Sequence, residues 1–347
     1  MKKKLVLLMI VLSVVISGVF AGGQQEGERE IVLGKIPYTL SHDYHQSHCK
    51  WVVDYAKEKY GVTVKVVDGE ASPEKSLNAV ESFVVQGVDG LLLHITDPVI
   101  LDQAIEIAHE EDIPVVSFYN EPKTKANPHV RIDEPKTSFQ MGVIAAKKWM
   151  SLYPDKPIKV GMISFMNMEH VLTLRSTPFF KGVKSVAPDA ELVAQYNGEG
   201  SSELAMASAQ DMIQAHPDVN IVYGSTAEHA IGALASFEAA GRGKAVDGEP
   251  LTEIIVGTDA TEAELLNVFD PNSSFKITQG LAPKENAMAE VDALMQMING
   301  ELEPNEWSEI STYNIVLDYW NNSVDEGTSF IKEQYFSDTD LRKELGL

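Results

Sequence analysis

Two doubly wound α/β lobes, each built on a parallel sheet, are the fold class predicted by this chain of 347 residues. Three observations point there. Short, β-branched apolar runs alternate with amphipathic stretches from Ile31 onward, the alternation starts afresh near Lys159, and polar and aromatic residues gather where the apolar runs stop. Such alternation implies parallel sheets covered by helices on both faces. Two sheets suit about 300 residues better than one.

Taken in order, the chain opens with Lys2, Lys3 and Lys4, an apolar run from Leu5 to Ile16, and the small-x-small pattern Val19-Phe20-Ala21. A run this short cannot span about 30 Å of hydrocarbon, so residues 1–21 read as a cleaved signal peptide. No cysteine stands near the cleavage point to take a lipid, and the expected product is a free periplasmic protein. Residues 22–30 (GGQQEGERE) read as a disordered leader. IVLGKI (31–36), VTVKVV (62–67), GLLLHI (90–95) and IPVVSF (113–118) are expected as buried strands. Between them, Trp51, Val52, Tyr55 and Ala56 form one helix face that stops at Gly61, and Ser72-Pro73 and Asp97-Pro98 each supply a cap with proline at the first helical position. KVGMISF (159–165), ELVAQY (191–196), VNIVYG (219–224), EIIVGT (253–258) and FKITQ (275–279) form the second strand set. Helices are expected around 181–186, 204–215 and 230–240.

Charge and cysteine content exclude several classes. A formal net charge of −23 repels nucleic acid and anionic membrane. Cys49 is the single cysteine, so no intrachain disulfide forms, and stability has to come from the 44% of apolar residues.

In open parallel sheets ligands bind beyond the carboxyl ends of the strands. After the first strand stands PYTLSHDYHQSHCKW, with Tyr38, His42, Asp43 and His45; after the third, His94; after the fourth, Tyr119 and Asn120. The second set ends in Phe165-Met166-Asn167, Ser225-Thr226, Thr258-Asp259 and Gln279. Aromatic faces, amides, carboxylates and an arginine converging from two lobes describe a pocket for a neutral polyhydroxylated molecule. Other roles compete at several positions. Asp97 reads first as a helix cap, Thr226 equally as a cap, Asp133 as a hinge-side cap, His94 equally as a core histidine, and Trp51 as core. The spacing His42-x-x-His45-x-x-His48 invites a metal, but residue i+6 on a helix is rotated by roughly 240° from i, so a third ligand from the same helix is misplaced. No metal and no other cofactor is expected. There is no GxSxG, Walker loop or GxGxxG after the first strand, and the chain is not expected to be an enzyme.

At this point the chain resembles the ribose- and galactose-type sugar-binding proteins of bacterial ABC transporters, the type I periplasmic binding fold. The resemblance runs from Ile31 to about Tyr319. It is clearest in VVQGVDGLLLHITDP (84–98), IPVVSFYN (113–120), HPDVNIVYGSTAEHAIGALASFEAAG (216–241) and IIVGTDAT (254–261). It implies that Arg175, in LRSTPF with Pro178 in place of a glycine, places a guanidinium fork on ligand hydroxyls. It also implies that Asp259 and Gln279 contact ligand, that Tyr119-Asn120 stands where the ribose type has Asp-Arg, and that Thr226-Ala227 replaces Asn-Asp. It further implies a three-segment hinge crossed near Asp133, Gln279–Ala282 and Ser311. The lobes are then 31–132 plus 280–310 and 133–279 plus 311–347, with extra helices from Asp325 on the second lobe.

The implied function is that of the periplasmic substrate-binding component of an ABC importer. It would be a monomer that captures a small sugar or polyol by hinge closure and delivers it to an inner-membrane permease. The alternative is a ligand receptor for a chemoreceptor or sensor kinase; a metal-binding protein or hydrolase is the reading from another class. The lactose-repressor family shares the fold but begins with a DNA-binding module where this chain has a signal peptide.

Overall fold

A computed structural model describes residues 29–347; the expected signal peptide and all but two residues of the leader lie outside them. In the first part of the chain, strands β1 (Val32–Ile36), β2 (Thr63–Val66), β3 (Gly90–Leu93), β4 (Val115–Phe118) and β5 (Pro128–Ile132) alternate with helices α1 (Asp43–Tyr55), α2 (Pro73–Gln86) and α3 (Pro98–His109). Then come α4 (Glu134–Leu152), β6 (Lys159–Ser164), a single turn α5 (Glu169–Val171), α6 (Thr177–Val186), β7 (Glu191–Asn197), α7 (Ser202–Ala215), β8 (Ile221–Gly224) and α8 (Ala227–Ala239). A small hairpin, β9 (Ala245–Val246) and β10 (Glu249–Pro250), precedes β11 (Ile254–Val256), α9 (Glu262–Phe269) and β12 (Phe275–Gly280). The chain ends with α10 (Pro283–Ile298), β13 (Ser308–Thr312), β14 (Ile315–Asp318), α11 (Val324–Tyr335) and α12 (Leu341–Leu345).

Apart from the antiparallel β9–β10 hairpin, these strands form two six-stranded sheets, ordered β13-β5-β4-β3-β1-β2 and β14-β12-β11-β8-β6-β7. Within these sheets all pairings are parallel except β12 with β14. The central strands are apolar because both their faces are covered: Leu91, Leu92, Leu93, Val115 and Val116 are fully buried, as are Ile254, Ile255 and Val256. In each sheet the first strand of its set lies inside the second, so the order reverses between β1 and β3 and again between β6 and β8. Those reversals are the switch points at which such sheets take their ligands.

The chain passes between the sheets after β5, after β12 and after β13. Ser311 and Thr312 still pair with Arg131 and Ile132, which puts the last passage at Tyr313–Asn314, slightly later than the expected Ser311. Asp133 occupies the first passage but makes no side-chain cap to α4, contrary to expectation; its carboxylate lies 3.9 Å from Arg131 instead. Asp97 does cap α3, accepting from the amides of Val99 and Ile100. Trp51 is half-buried against the C-terminal segment and stacks on Phe336 with centroids 4.4 Å apart.

Helices α4 and α6 approach through two glycines. A Cβ added at Gly142 would stand 2.1 Å from the Phe179 carbonyl oxygen, and one at Gly182 would stand 2.0 Å from that of Phe139. Real Cβ atoms do not come that close to backbone. This contact sets the distance between the start of α4, which carries Glu134, and the segment before α6, which carries Arg175.

Candidate functional site

The carboxyl ends of both sheets meet around one cavity of ≈ 70 Å³. At 10–15 Å³ per water, it has room for about five water molecules, which suits a compact molecule and no oligomer. A wider groove of ≈ 640 Å³ joins it through the shared residues Thr96, Tyr119, Met168 and His170.

The first sheet supplies a wall of rings. Tyr38, His42, Tyr44 and His45 come from the loop after β1 and the start of α1, His94 from the end of β3, and Phe118 and Tyr119 from the end of β4. The rings touch in series. Tyr38 and His45 are 5.9 Å apart in an edge contact, His45 and His94 5.1 Å, and His94 and Tyr119 5.6 Å. Burial pushes the His45 and His94 imidazoles well below their ordinary pKa. Neighbouring histidines and Lys35 add to the effect at His45, and Lys35 at His94. Both rings are therefore neutral near pH 7, and the Nδ1 atom of each is buried without a hydrogen-bond partner. Unpaired buried polar atoms are costly unless something completes them.

Behind the rings lies a buried charge cluster. Lys35 Nζ and His48 Nε2 flank the Glu290 carboxylate at 2.5 and 2.9 Å, with all three side chains essentially inaccessible. Burial pushes Glu290 up, but Lys35 and His48 outweigh it and bring the carboxyl down to about 2. His48 stacks on Phe118 at 4.8 Å, so the cluster backs the pocket wall.

The second sheet contributes Phe165, Met168, His170 and Val171 after β6, Thr226 after β8 and Asp259 after β11. Arg175 sits in a π-helical turn, Leu172–Ser176, a widened turn that recurs at functional sites. Its Nε donates to Glu134 Oε1 at 2.9 Å, its Nη2 lies 2.7 Å from the same oxygen as an ion pair, and its Nη1 donates to the Ser225 carbonyl at 2.7 Å. Glu134 is fully buried, and its other oxygen accepts from the Tyr119 hydroxyl at 2.8 Å. Tyr119 ends a strand of the first sheet while Arg175 belongs to the second, so Glu134 joins the two sides.

Asp259 lies 3.9 Å from Arg175 Nη1 and accepts from the Ala227 amide at 3.0 Å. Burial, opposed by Arg175, raises its carboxyl to about 8. Two residues that line the cavity, Tyr119 (φ 64°) and Asp259 (φ 111°), adopt left-handed backbone without being glycine. Strain of this kind persists where surrounding structure enforces it, typically at binding sites.

Of the eleven residues picked from sequence, Tyr38, His42, His45, His94, Tyr119, Arg175, Thr226 and Asp259 line the cavity. Asn120 lines the adjoining groove. Asp43 is exposed in the first turn of α1 and does not line the cavity. Gln279 does not line it either: buried in β12, it accepts from Ser138 on α4 and holds strand to helix. Thr226 both faces the cavity and caps α8 through the His229 amide. Arg175 offers less than an open fork, since Nε and one Nη1 hydrogen donate within the protein and Nη2 is paired with Glu134.

Sequence reasoning missed Glu134, His170, Phe118 and Leu281. Phe118 read as part of a buried strand and Leu281 as part of a hinge passage, and Glu134 gave no signal beyond following a hinge position. Among the described residues no group of three or more histidine, cysteine or acidic side chains is placed to hold a metal ion, and no helix is long and apolar enough to cross a membrane.

A sequence profile of the family described as periplasmic binding protein domain matches residues 33–302. The chain is 23% identical over 254 residues to the ribose import binding protein of Bacillus subtilis, covering 73% of this chain and 77% of the relative. It is 21% identical over 231 residues to the galactofuranose-binding protein of Escherichia coli, covering 65% and 70%. Among solved structures, a periplasmic solute-binding protein of an ABC transporter from Actinobacillus succinogenes with bound D-allose superposes with a TM-score of 0.71 at 20% identity, covering 86% of this chain and all of the other. A protein from Mycobacterium smegmatis in complex with β-D-fucofuranose gives 0.73 at 19% identity, with 91% and 98% covered.

Proposed function

Because the chain belongs to the periplasmic binding protein domain family, we propose that it is the substrate-binding component of an ABC importer. It captures a small sugar or polyol between its lobes in the periplasm and delivers it unchanged to an inner-membrane permease. The relatives named for ribose and galactofuranose support a sugar. The observation that carries the reading is the small cavity at the switch points of both sheets, walled by rings from the first and by Arg175, Thr226 and Asp259 among apolar side chains from the second. Sugars present apolar C–H faces to rings and hydroxyls to polar rims. The unpaired Nδ1 atoms of His45 and His94, the N–H groups of Arg175 not donated within the protein and the Thr226 hydroxyl are partners for such hydroxyls. Closure follows from a ligand that touches both lobes and so favours the state in which both are close.

Mass spectrometry of ligand released from purified protein, followed by titration calorimetry with the candidates it names, tests this. A neutral monosaccharide or polyol bound with micromolar affinity or better and recovered intact is expected. A chemically altered product would replace binding by catalysis, and a peptide or nucleotide would remove the sugar reading.

A further inference from the structure

We infer that Glu134 is a specificity-determining residue: it acts as a built-in counterion to Arg175 and restricts the cavity to uncharged ligands. This rests on the reading of the cavity as the ligand site. A guanidinium at a cavity wall would ordinarily recruit a carboxylate or phosphate, which match its fork. Here the protein supplies that carboxylate itself. Both partners are buried, with side chains 8% and 0% exposed, and Glu134 Oε1 accepts from Nε at 2.9 Å and lies 2.7 Å from Nη2.

The other Glu134 oxygen is held by Tyr119 across the cleft, so the carboxylate cannot swing aside to admit a competing anion without breaking the inter-lobe bond. Apart from His42, which also lines the cavity, the wall offers an anion no second positive charge. His45, His94 and His170 are neutral through burial, and Lys35 is committed to Glu290 behind Phe118. Asp259, 3.9 Å from the guanidinium, repels a second anion whenever it is ionised. A ligand carboxylate would thus enter a low-dielectric cavity whose one guanidinium is already matched, and it would lose hydration without gaining a counterion.

The test compares matched pairs, D-galactose with D-galacturonate, D-glucose with D-glucuronate and D-ribose with D-ribonate, on the full mature protein and on Glu134→Gln. The wild type should bind at least one neutral member and bind its acid at least a hundredfold more weakly, and Glu134→Gln should narrow that ratio by tenfold or more. A second arm needs no known ligand. Formate, compared with chloride at equal ionic strength, should raise the melting temperature of Glu134→Gln saturably by filling the vacated carboxylate position, and should not do so for wild type.

Wild-type affinity for an acid within tenfold of its neutral partner, an unchanged ratio in the variant, or the same formate response in both proteins would each overturn the inference. If no member of the panel binds, the sugar reading fails while the formate arm still decides the role of Glu134. Should Glu134→Gln not fold, Glu134→Asp withdraws the charge by one methylene and carries the comparison of acids with neutral sugars, where the ratio should narrow.

Discussion

Arg175 donates two hydrogen bonds inside the protein and is ion-paired with Glu134, so its removal acts on stability as well as on ligand. Arg175→Ala leaves Glu134 buried without its counterion, and breaking a buried pair from one side typically costs about 3–5 kcal/mol. A loss of that order is expected in urea unfolding without ligand, while Arg175→Met combined with Glu134→Met should recover most of it. A single variant as stable as wild type would mean that the pair is not formed in solution.

Asp259 makes a pH-dependent prediction. Its folded carboxyl is raised to about 8, against about 3.9 when unfolded, so between these values the folded state holds a proton that the unfolded state has released. Stability from this group is full below about pH 4 and is lost as pH rises through about 8. Glu264, raised well above its ordinary value by burial and then by Asp259, pulls in the same direction. Asp259→Asn mimics the protonated form. It should therefore gain on wild type by up to about 1.4 kcal/mol per pH unit across that window. Denaturation at pH 5 and pH 7.5 measures this, and a pH-independent difference would show that Asp259 titrates normally.

At the scale of elements, the contact between α4 and α6 transmits packing to the site. Gly182→Ala puts a methyl group 2.0 Å from a backbone carbonyl, and the helices must part by about an ångström. Overpacking of this sort costs about 1–3 kcal/mol, and here it also draws Glu134 away from Arg175. A lower melting temperature together with weaker ligand affinity is expected, whereas Ala in place of the exposed Gly241, which has open space around it, should lack the second effect.

Elements with a strong local signature were legible. The strands at 32–36, 90–93, 115–118 and 159–164 and the caps Ser72 and Asp97 lie where apolar runs and proline punctuation placed them. Strands β5, β13 and β14 were not. PHVRI begins with proline, and SEIST has little apolar character because it forms the sheet edge, where one side is left to solvent. Only pairing with a neighbour makes these segments strands.

For the whole molecule, two lobes joined by three short passages should rotate on ligand binding. Small-angle scattering should show a smaller radius of gyration with saturating ligand, and an unchanged radius would count against the clamp. The C-terminal segment bears on the same motion. Phe330, Ile331 and Leu341 belong to the second sheet's core with Leu265 and Phe269. Phe336 stacks on Trp51 of α1, and Gln334 accepts from the Trp51 indole N–H and from the Lys284 amide. Tyr335 donates to the carbonyl of Asp259. The segment thus ties the second sheet's core to α1, whose first turns carry His45. Phe336→Ala should leave most of the core intact yet shift ligand affinity measurably in calorimetry; an unaltered affinity would make the segment a stability element alone.

By itself the sequence determined the class of the molecule. Apolar runs of strand length, helical periodicity and turn residues are local properties, and their repetition dictates two parallel sheets with ligand positions at the strand ends. From that rule alone Tyr38, His94, Tyr119 and Asp259 could be named. Only the tertiary structure decided how those groups are used. Whether Arg175 meets ligand or Glu134, whether Gln279 faces the cavity or Ser138, and whether Asp43 points to solvent depend on distances of a few ångströms, in the first two cases between residues 41 and 141 positions apart. The close glycine contact of α4 with α6 and the order of the strands set those distances, and neither is encoded in any short stretch of chain.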